Sequence, residues 1–211
     1  LKEEIAAEAL VRNLPAFSRF LEACAFSNGE IVNYQAIASE CGVSGHTVKT
    51  YFEILEDTLL ARFVPMYRKR PKRRVIESPK FYLFDVGLAN TLLRRGRIEE
   101  KSEAFGKAFE HFIFQELIAH SHYSGTKYPI SYWRTTSQFE VDFILGDHEI
   151  ALEVKSADKI NSNHFKGLQA FAEEYETKYS ILISMEEKPR KVENILILPW
   201  RVFLEKLWSN E

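Results

Sequence analysis

The chain has 211 residues, of which 45% are hydrophobic, 13% aromatic and 27% charged, with only nine glycines and seven prolines. Such a chain can bury a core in one or two domains, and its composition excludes a disordered, collagen-like or low-complexity protein. The net charge of −2 conceals a strong segregation, with −5 over residues 1–57, +9 over residues 58–97 and −6 over residues 98–211. The cations that could draw a polyanion therefore sit in one band.

The longest apolar run, near Ile195–Leu198, is strand-length and far below the roughly 18 residues of a membrane span, so no membrane partner is expected. Two cysteines, Cys24 and Cys41, are too few for a disulfide framework and favour a reducing, cytoplasmic setting. The sequence starts at Leu1 with neither an initiator Met nor a signal peptide, as expected of a piece of a longer protein.

Residues 3–26 read as helix, with Ile5, Ala9, Val11, Phe17, Phe20 and Leu21 at helical spacing, interrupted near Asn13-Leu14-Pro15 and ended by Asn28-Gly29. A second helix is expected from Tyr34 to Glu40. After Cys41-Gly42-Val43-Ser44 a third follows from Gly45 to Asp57, with Val48, Phe52, Leu55 and Leu59 inward. Residues 59–67 and 81–84 read as strands around the run Arg68-Lys69-Arg70-Pro71-Lys72-Arg73-Arg74, and Asp85–Arg94 reads as a short helix. The charged stretch after Arg95-Gly96-Arg97 is the expected boundary, giving domains of 1–97 and 98–211. Beyond it the pattern predicts a helix over 104–119, strands near 130–134, 139–145 and 149–155, a helix over 163–175, and strands at 179–184 and 194–198. That order of α and β suggests a sheet flanked by helices.

Helix 34–40, the turn at Gly42 and helix 45–57 have helix-turn-helix spacing, and the hairpin after them would be the wing of a winged helix. In a DNA reader His46, Thr47, Lys49 and Thr50 face the groove, while Arg68, Lys69, Arg70, Lys72, Arg73 and Arg74 sit on phosphates. Against this, Glu53, Glu56 and Asp57 on the third helix would repel a phosphate backbone. A protein-binding winged helix or a solvated charge run is the competing reading.

Glu140-Val-Asp142-Phe-Ile-Leu-Gly-Asp-His-Glu-Ile-Ala-Leu-Glu153-Val-Lys155 is the most informative stretch. With Asp147-His148 at a hairpin tip, Leu145 pairs with Ile150, Asp142 lies opposite Glu153, and Glu140 lies opposite Lys155. All four then project from one face. Opposed carboxylates about 5 Å apart repel, and a divalent cation between them, with Lys155 alongside, would relieve it. Such a set suits metal-dependent phosphodiester hydrolysis, in which the lysine supports the anionic transition state. The competing reading is an exposed face on which Lys155 merely pairs with Glu140 and Glu153. In the preceding helix Glu116 falls in the middle of the stripe Phe105, Phe109, Phe112, Ile113 and Leu117, and Glu110 at its edge. Carboxylates there must be paired, metal-bound or reach water. With no third ligand near, His120 and His122 do not suggest a zinc site.

Glu110, Asp142 and Glu153-Val-Lys155 resemble the PD-(D/E)xK restriction-endonuclease-like superfamily. The resemblance implies Glu110, Asp142 and Glu153 as ligands of Mg²⁺ or Mn²⁺ and Lys155 as the catalytic lysine. Val141 stands where the family often has Pro. Some members place a Lys or Gln on the following helix against DNA, which gives Lys166 and Gln169 an accessory role beside Glu116 and Glu140. Over nearly all its length the chain also resembles the C-terminal half of predicted prokaryotic AAA+ ATPases with an uncharacterised C-terminal domain. The stretches concerned are VSGHTVKTYFEILEDTLL (43–60), FYLFDVGLAN (81–90), GKAFEHFIFQEL (106–117) and EVDFIL…EVK (140–155). The P-loop domain that this implies would lie N-terminal, since no G-x-x-x-x-G-K-[ST] occurs here.

The expected fold class is therefore α+β: a winged-helix N-terminal unit, then a restriction-endonuclease-like α/β domain with a central mixed sheet. The expected function is a DNA-associated module with a nuclease-like site. Its implied partners are DNA, its own ATPase domain and further copies in a homo-oligomer. The alternative is an inactive, nuclease-derived regulatory module that binds protein or nucleic acid.

Overall fold

The computed structural model describes residue 11 and residues 13–69 and 78–209. The chain divides into two compact units. Residues up to Phe63 join Ser78–Arg97 in the first, and the second takes Val64–Lys69 of the described residues together with Ile98 onward.

The first unit is built on helices α1 (Leu14–Phe26), α2 (Tyr34–Cys41), α3 (Gly45–Asp57) and α4 (Val86–Leu92), with strands β1 (Glu30–Ile31), β2 (Ala61–Val64) and β3 (Lys80–Leu83) in the order β1-β3-β2. Local chemistry sets the helix starts. Asn13, Asn33, Ser44 and Asp85 each accept a first-turn backbone N–H with the side chain, satisfying donors that would otherwise be orphaned. Gly42 ends α2 in the left-handed region (φ 66°, ψ 38°), where a Cβ would be penalised. Phe52 fastens the core, meeting Phe20 at 4.9 Å and Phe81 at 4.8 Å edge-on, an arrangement that adds to area burial. The predicted helix start over residues 3–10 and residue 12 lies outside the described residues.

The second unit carries a six-stranded mixed sheet in the order β4-β5-β6-β7-β9-β8. Its strands are β4 (Ile130–Arg134), β5 (Glu140–Leu145), β6 (Ile150–Val154), β7 (Tyr179–Ser184), β8 (Arg190–Val192) and β9 (Ile195–Pro199). β4, β5 and β6 pair antiparallel, β6, β7 and β9 parallel, and β8 closes antiparallel on β9. Around it lie α5 (Glu103–Tyr123), a 3₁₀ turn (Ser162–Phe165) leading into α6 (Lys166–Ala172), and α7 (Trp200–Ser209). α5 stacks Phe114 on Phe143 of β5 at 5.7 Å, and α6 sets Phe171 edge-on to Trp133 of β4 at 5.3 Å. Every residue of Val141–Leu145 and Ala151–Val154 is buried, so both faces of the central hairpin are covered, as the parallel half of such a sheet requires.

Three expectations change. Of the strand expected over 59–67, only Ala61–Val64 forms β2, and the chain from Val64 to Lys69 counts with the second unit. Met66 bridges parallel to Tyr132, and Tyr67 N–H donates to the Tyr132 carbonyl at 2.7 Å. α5 runs four residues further than 119, through Tyr123. Strand β8 and helix α7 are additions to the predicted pattern.

Candidate active site

The β5–β6 hairpin turns through Gly146–Glu149, with Gly146 (φ 67°) and His148 (φ 65°) in the left-handed region. The pairs Phe143↔Leu152, Ile144↔Ala151 and Leu145↔Ile150 have the register expected from the tip, and Asp142 and Glu153 are the next residues along their two strands. Both carboxylates are buried, at 5% and 6% exposure.

Asp142 Oδ2 accepts the Val154 backbone N–H at 2.8 Å, which fixes its rotamer across the hairpin. Lys155 Nζ lies 2.5 Å from Glu153 Oε1 and 3.9 Å from Asp142 Oδ2. Glu153 Oε2 is buried without a hydrogen-bond partner, a costly state for a carboxylate oxygen. Burial, reinforced by the Asp142 charge and opposed by Lys155, pushes the Glu153 carboxyl up to about 8. Burial alone would lower the Lys155 ammonium, but the fields of Asp142, Glu153 and, more weakly, Glu110 hold it above the ordinary lysine range.

A raised carboxyl value makes the folded state bind a proton that the unfolded chain has already released. Stability is then lost as pH rises from the unfolded value near 4.5 through about 8. Glu153→Gln removes this penalty. Its melting temperature should exceed wild type at pH 8 by several degrees, on the order of 1–3 kcal/mol, with the gain shrinking toward zero at pH 5. Differential scanning calorimetry at the two pH values checks this, and a loss at pH 8 would contradict it.

Of the other sequence-predicted residues, Glu140 pairs with Arg134 at 3.2 Å. The polypeptide at Glu140 also carries α6. A Cβ on Gly167 would come within 2.9 Å of the Glu140 carbonyl carbon and closer still to its oxygen, so only glycine lets the helix approach this near. Glu110 contributes to the field at Lys155. Among the described residues, however, no group of three or more His, Cys, Asp or Glu side chains is gathered as metal ligands. The structure brings two of the three implied ligands, Asp142 and Glu153, together with the lysine. Glu116 accepts from the Trp208 indole N–H at 2.8 Å, so it serves α7. Lys166 is exposed, and exposed Gln169 donates to Glu193 at 3.2 Å.

His164 escaped sequence reasoning. Its Nδ1 accepts the Asn161 backbone N–H at 3.3 Å in a capping box, and burial, then the Lys155 charge, hold the imidazole below its ordinary range. Nothing in the local sequence marks it, because the 3₁₀ turn alone sets it near the lysine.

In the basic band, Lys69 pairs with Asp147 of the hairpin turn, and the Tyr67 hydroxyl donates to Asp147 Oδ1 at 3.1 Å and lies 2.7 Å from His148 Nδ1. The Lys69 bond holds the Asp147 carboxyl below its ordinary range. Arg68 is exposed, while Arg70, Lys72, Arg73 and Arg74 lie outside the described residues. In the first unit Lys49 is exposed and lies over the Tyr34 ring at 5.6 Å. His120 bonds Tyr128 at 2.9 Å, a structural role.

Among the described residues no helix is long and apolar enough to cross a membrane. An uncharacterized protein of Mycobacterium tuberculosis is 28% identical over 117 residues, covering 54% of this chain and 26% of the relative. An uncharacterized protein of Haemophilus influenzae is 26% identical over 140 residues, 64% of this chain and 32% of the relative. The chain thus spans about a quarter to a third of the length of these curated relatives. No solved structure matches significantly. Residues 1–99 match the family model of a domain of unknown function (DUF8612), and residues 105–203 match that of a second (DUF4143). Half by half, the chain is similar to two domains of unknown function in tandem.

Proposed function

We propose that the second unit is a divalent-metal-dependent phosphodiesterase of nuclease type. One observation carries the reading: two buried carboxylates, Asp142 and Glu153, lie on the two strands of one hairpin with a lysine beside both, and one oxygen of Glu153 has no partner. An orphaned carboxylate oxygen in an all-oxygen pair fits a hard cation. Asp142 and Glu153 would hold Mg²⁺ or Mn²⁺, and Glu110 of α5, whose charge reaches Lys155, would join them. Bound there, the metal supplies a Lewis-acid centre at which water ionises near neutral pH.

The chain's own residues do the rest. The Val154 N–H keeps Asp142 oriented. Lys155, released from Glu153 once that carboxylate has another counter-charge, donates to the phosphoryl oxygens as negative charge develops on them. Hydrolysis breaks one P–O bond and forms another, and water provides the incoming oxygen and the proton for the departing one.

The same proposal reads the first unit as a winged helix, supported by the α2–Gly42–α3 turn and the strands after it, and the nuclease-like fold of the second unit is supported by the acidic α5 before the hairpin. It places the chain beside an ATPase domain in a longer protein, with DNA as polyanion partner, further copies in a homo-oligomer, and a cytoplasmic site of action. The length of the relatives supports the larger protein.

A second reading, an inactive regulatory module, is favoured by the closeness of Lys155 to both carboxylates, which makes it a built-in counter-ion. Cleavage separates the two. The phosphodiesterase reading predicts Mn²⁺-dependent hydrolysis of an end-labelled oligonucleotide, reduced at least about 100-fold in Asp142→Asn and in Lys155→Met. No cleavage by the full chain in Mg²⁺ or Mn²⁺, single-stranded and duplex substrates included, favours the second.

A further inference from the structure

Beside Lys155 the second unit opens a cleft of about 590 Å³, lined in part by Phe105, Ser156, Ala157 and Met185. That volume lies within the roughly 300–1,000 Å³ of small-ligand sites and is ample for one nucleotide. The cleft is built, not incidental. Gly106 brings the first turn of α5 so near the end of β6 that an added Cβ would stand 3.2 Å from Ser156 Oγ. Met185 N–H donates to the Ala157 carbonyl at 3.0 Å and closes the floor. Lys101 pairs with Asp158 at 2.8 Å across one wall, from a left-handed backbone (φ 64°) that a lysine rarely adopts.

The charges decide what fits. Away from Lys155 the wall carries Glu100 and Asp158 against Lys101, which Asp158 already engages. A second phosphate would meet net repulsion there, from two carboxylates against one ammonium. A nucleobase would not, since it is neutral, its exocyclic amines can donate to carboxylates, and it has flat faces to lay on apolar surface. Phe105 offers such a surface. It is half-buried, and its ring lies parallel to Phe109 at 6.4 Å, tilted by only 2°.

We propose that this cleft receives the base of the nucleotide next to the phosphate held at Lys155, so that the site acts on unpaired nucleic acid rather than intact duplex. A stacked, paired base cannot enter a pocket without leaving its helix, whereas a single strand pays little to splay one out and gains stacking on the aromatic wall. The inference rests on the phosphodiesterase reading for the phosphate at Lys155 and adds the substrate class.

The test is fluorescence anisotropy with the full chain in Ca²⁺, comparing a labelled single strand of about 12 nucleotides with its matched duplex. The strand should bind at least about tenfold tighter. Phe105→Leu, which keeps apolar bulk but removes the ring, and Ala157→Leu, which fills the floor, should each weaken strand binding about five- to tenfold and leave duplex binding unchanged. Equal binding of strand and duplex overturns the proposal, as do folded variants that both bind the strand like wild type. If Phe105→Leu disturbs α5, Ala157→Leu decides alone. A parallel Mn²⁺ cleavage assay keeps the two ideas apart. Strand preference that depends on Phe105 without any cleavage leaves the cleft and removes the phosphodiesterase, whereas duplex cleaved as fast as strand removes the cleft alone.

Discussion

Lys155→Met is expected to destabilise the second unit by about 2–3 kcal/mol at pH 8 in the presence of a chelator. The ammonium is the cation beside two carboxylates that are 5% and 6% exposed. Removing it leaves the Asp142 charge acting on Glu153 without a counter-ion between them, and like charges in a poorly solvated site cannot both stay ionised cheaply. The cost should shrink at pH 5, where Glu153, already pushed up to about 8 in the wild type, carries its proton. Saturating Mn²⁺ at pH 8 should also recover most of the loss, because a cation bound by the native state alone stabilises it by mass action. Urea denaturation of wild type and variant, with and without Mn²⁺, checks all three statements. A loss below about 0.5 kcal/mol, the ordinary scale of a surface substitution, would show that the carboxylates are compensated elsewhere.

Gly167→Ala is expected to be worse in proportion to its size. One methyl group there meets the Glu140 main chain, with the carbonyl carbon 2.9 Å away and the oxygen nearer, and no side-chain rotation can relieve a clash with backbone. Either α6 lifts from β5 or the strand bends, and overpacking of this kind costs about 1–3 kcal/mol or more. The substitution should also reduce metal-dependent cleavage, since Glu140 begins the strand that carries Asp142. Gly96→Ala is the control: an added Cβ there has nothing within 4 Å, and the change should fall within about 0.5 kcal/mol of wild type. Thermal unfolding of the two variants side by side distinguishes a close approach from a general dislike of replacing glycine.

The site was legible where local rules governed it. A turn at Asp147-His148 and strict alternation fix the hairpin register from Leu145↔Ile150 to Phe143↔Leu152, because one residue of slip would turn every side chain over. The helix starts at Ser44 and Asp85 were equally open to reading, since capping is a property of a few adjacent residues. What alternation could not tell was that both faces of β5 and β6 are covered. That follows from α5 and α6 packing on the sheet through Phe114 and Phe171, helices supplied by distant parts of the chain. Glu140 meets Arg134 on β4, a partner that the hairpin alone cannot reveal. Lys69, one of the run read as phosphate contacts, holds Asp147, 78 residues away. A charge run in sequence says nothing of which members find an acid once the chain folds. Helix α7 had a signal that went unused, with Trp200, Phe203, Leu204 and Leu207 at helical spacing. His164 and the cleft beside Lys155 had none, because α5, β6 and the loop after β7 build the cleft from three separated stretches.

Everything in the catalytic reading depends on a cation being welcome between Asp142 and Glu153, and titration calorimetry of Mn²⁺ into the full chain measures that directly. The account predicts one site per chain at pH 8. Affinity should fall as pH drops below about 8, because the metal must displace the proton held on Glu153. Binding should be lost in Asp142→Ala and Glu153→Ala while both remain folded. No heat of binding at pH 8, or binding that survives both substitutions, would contradict it.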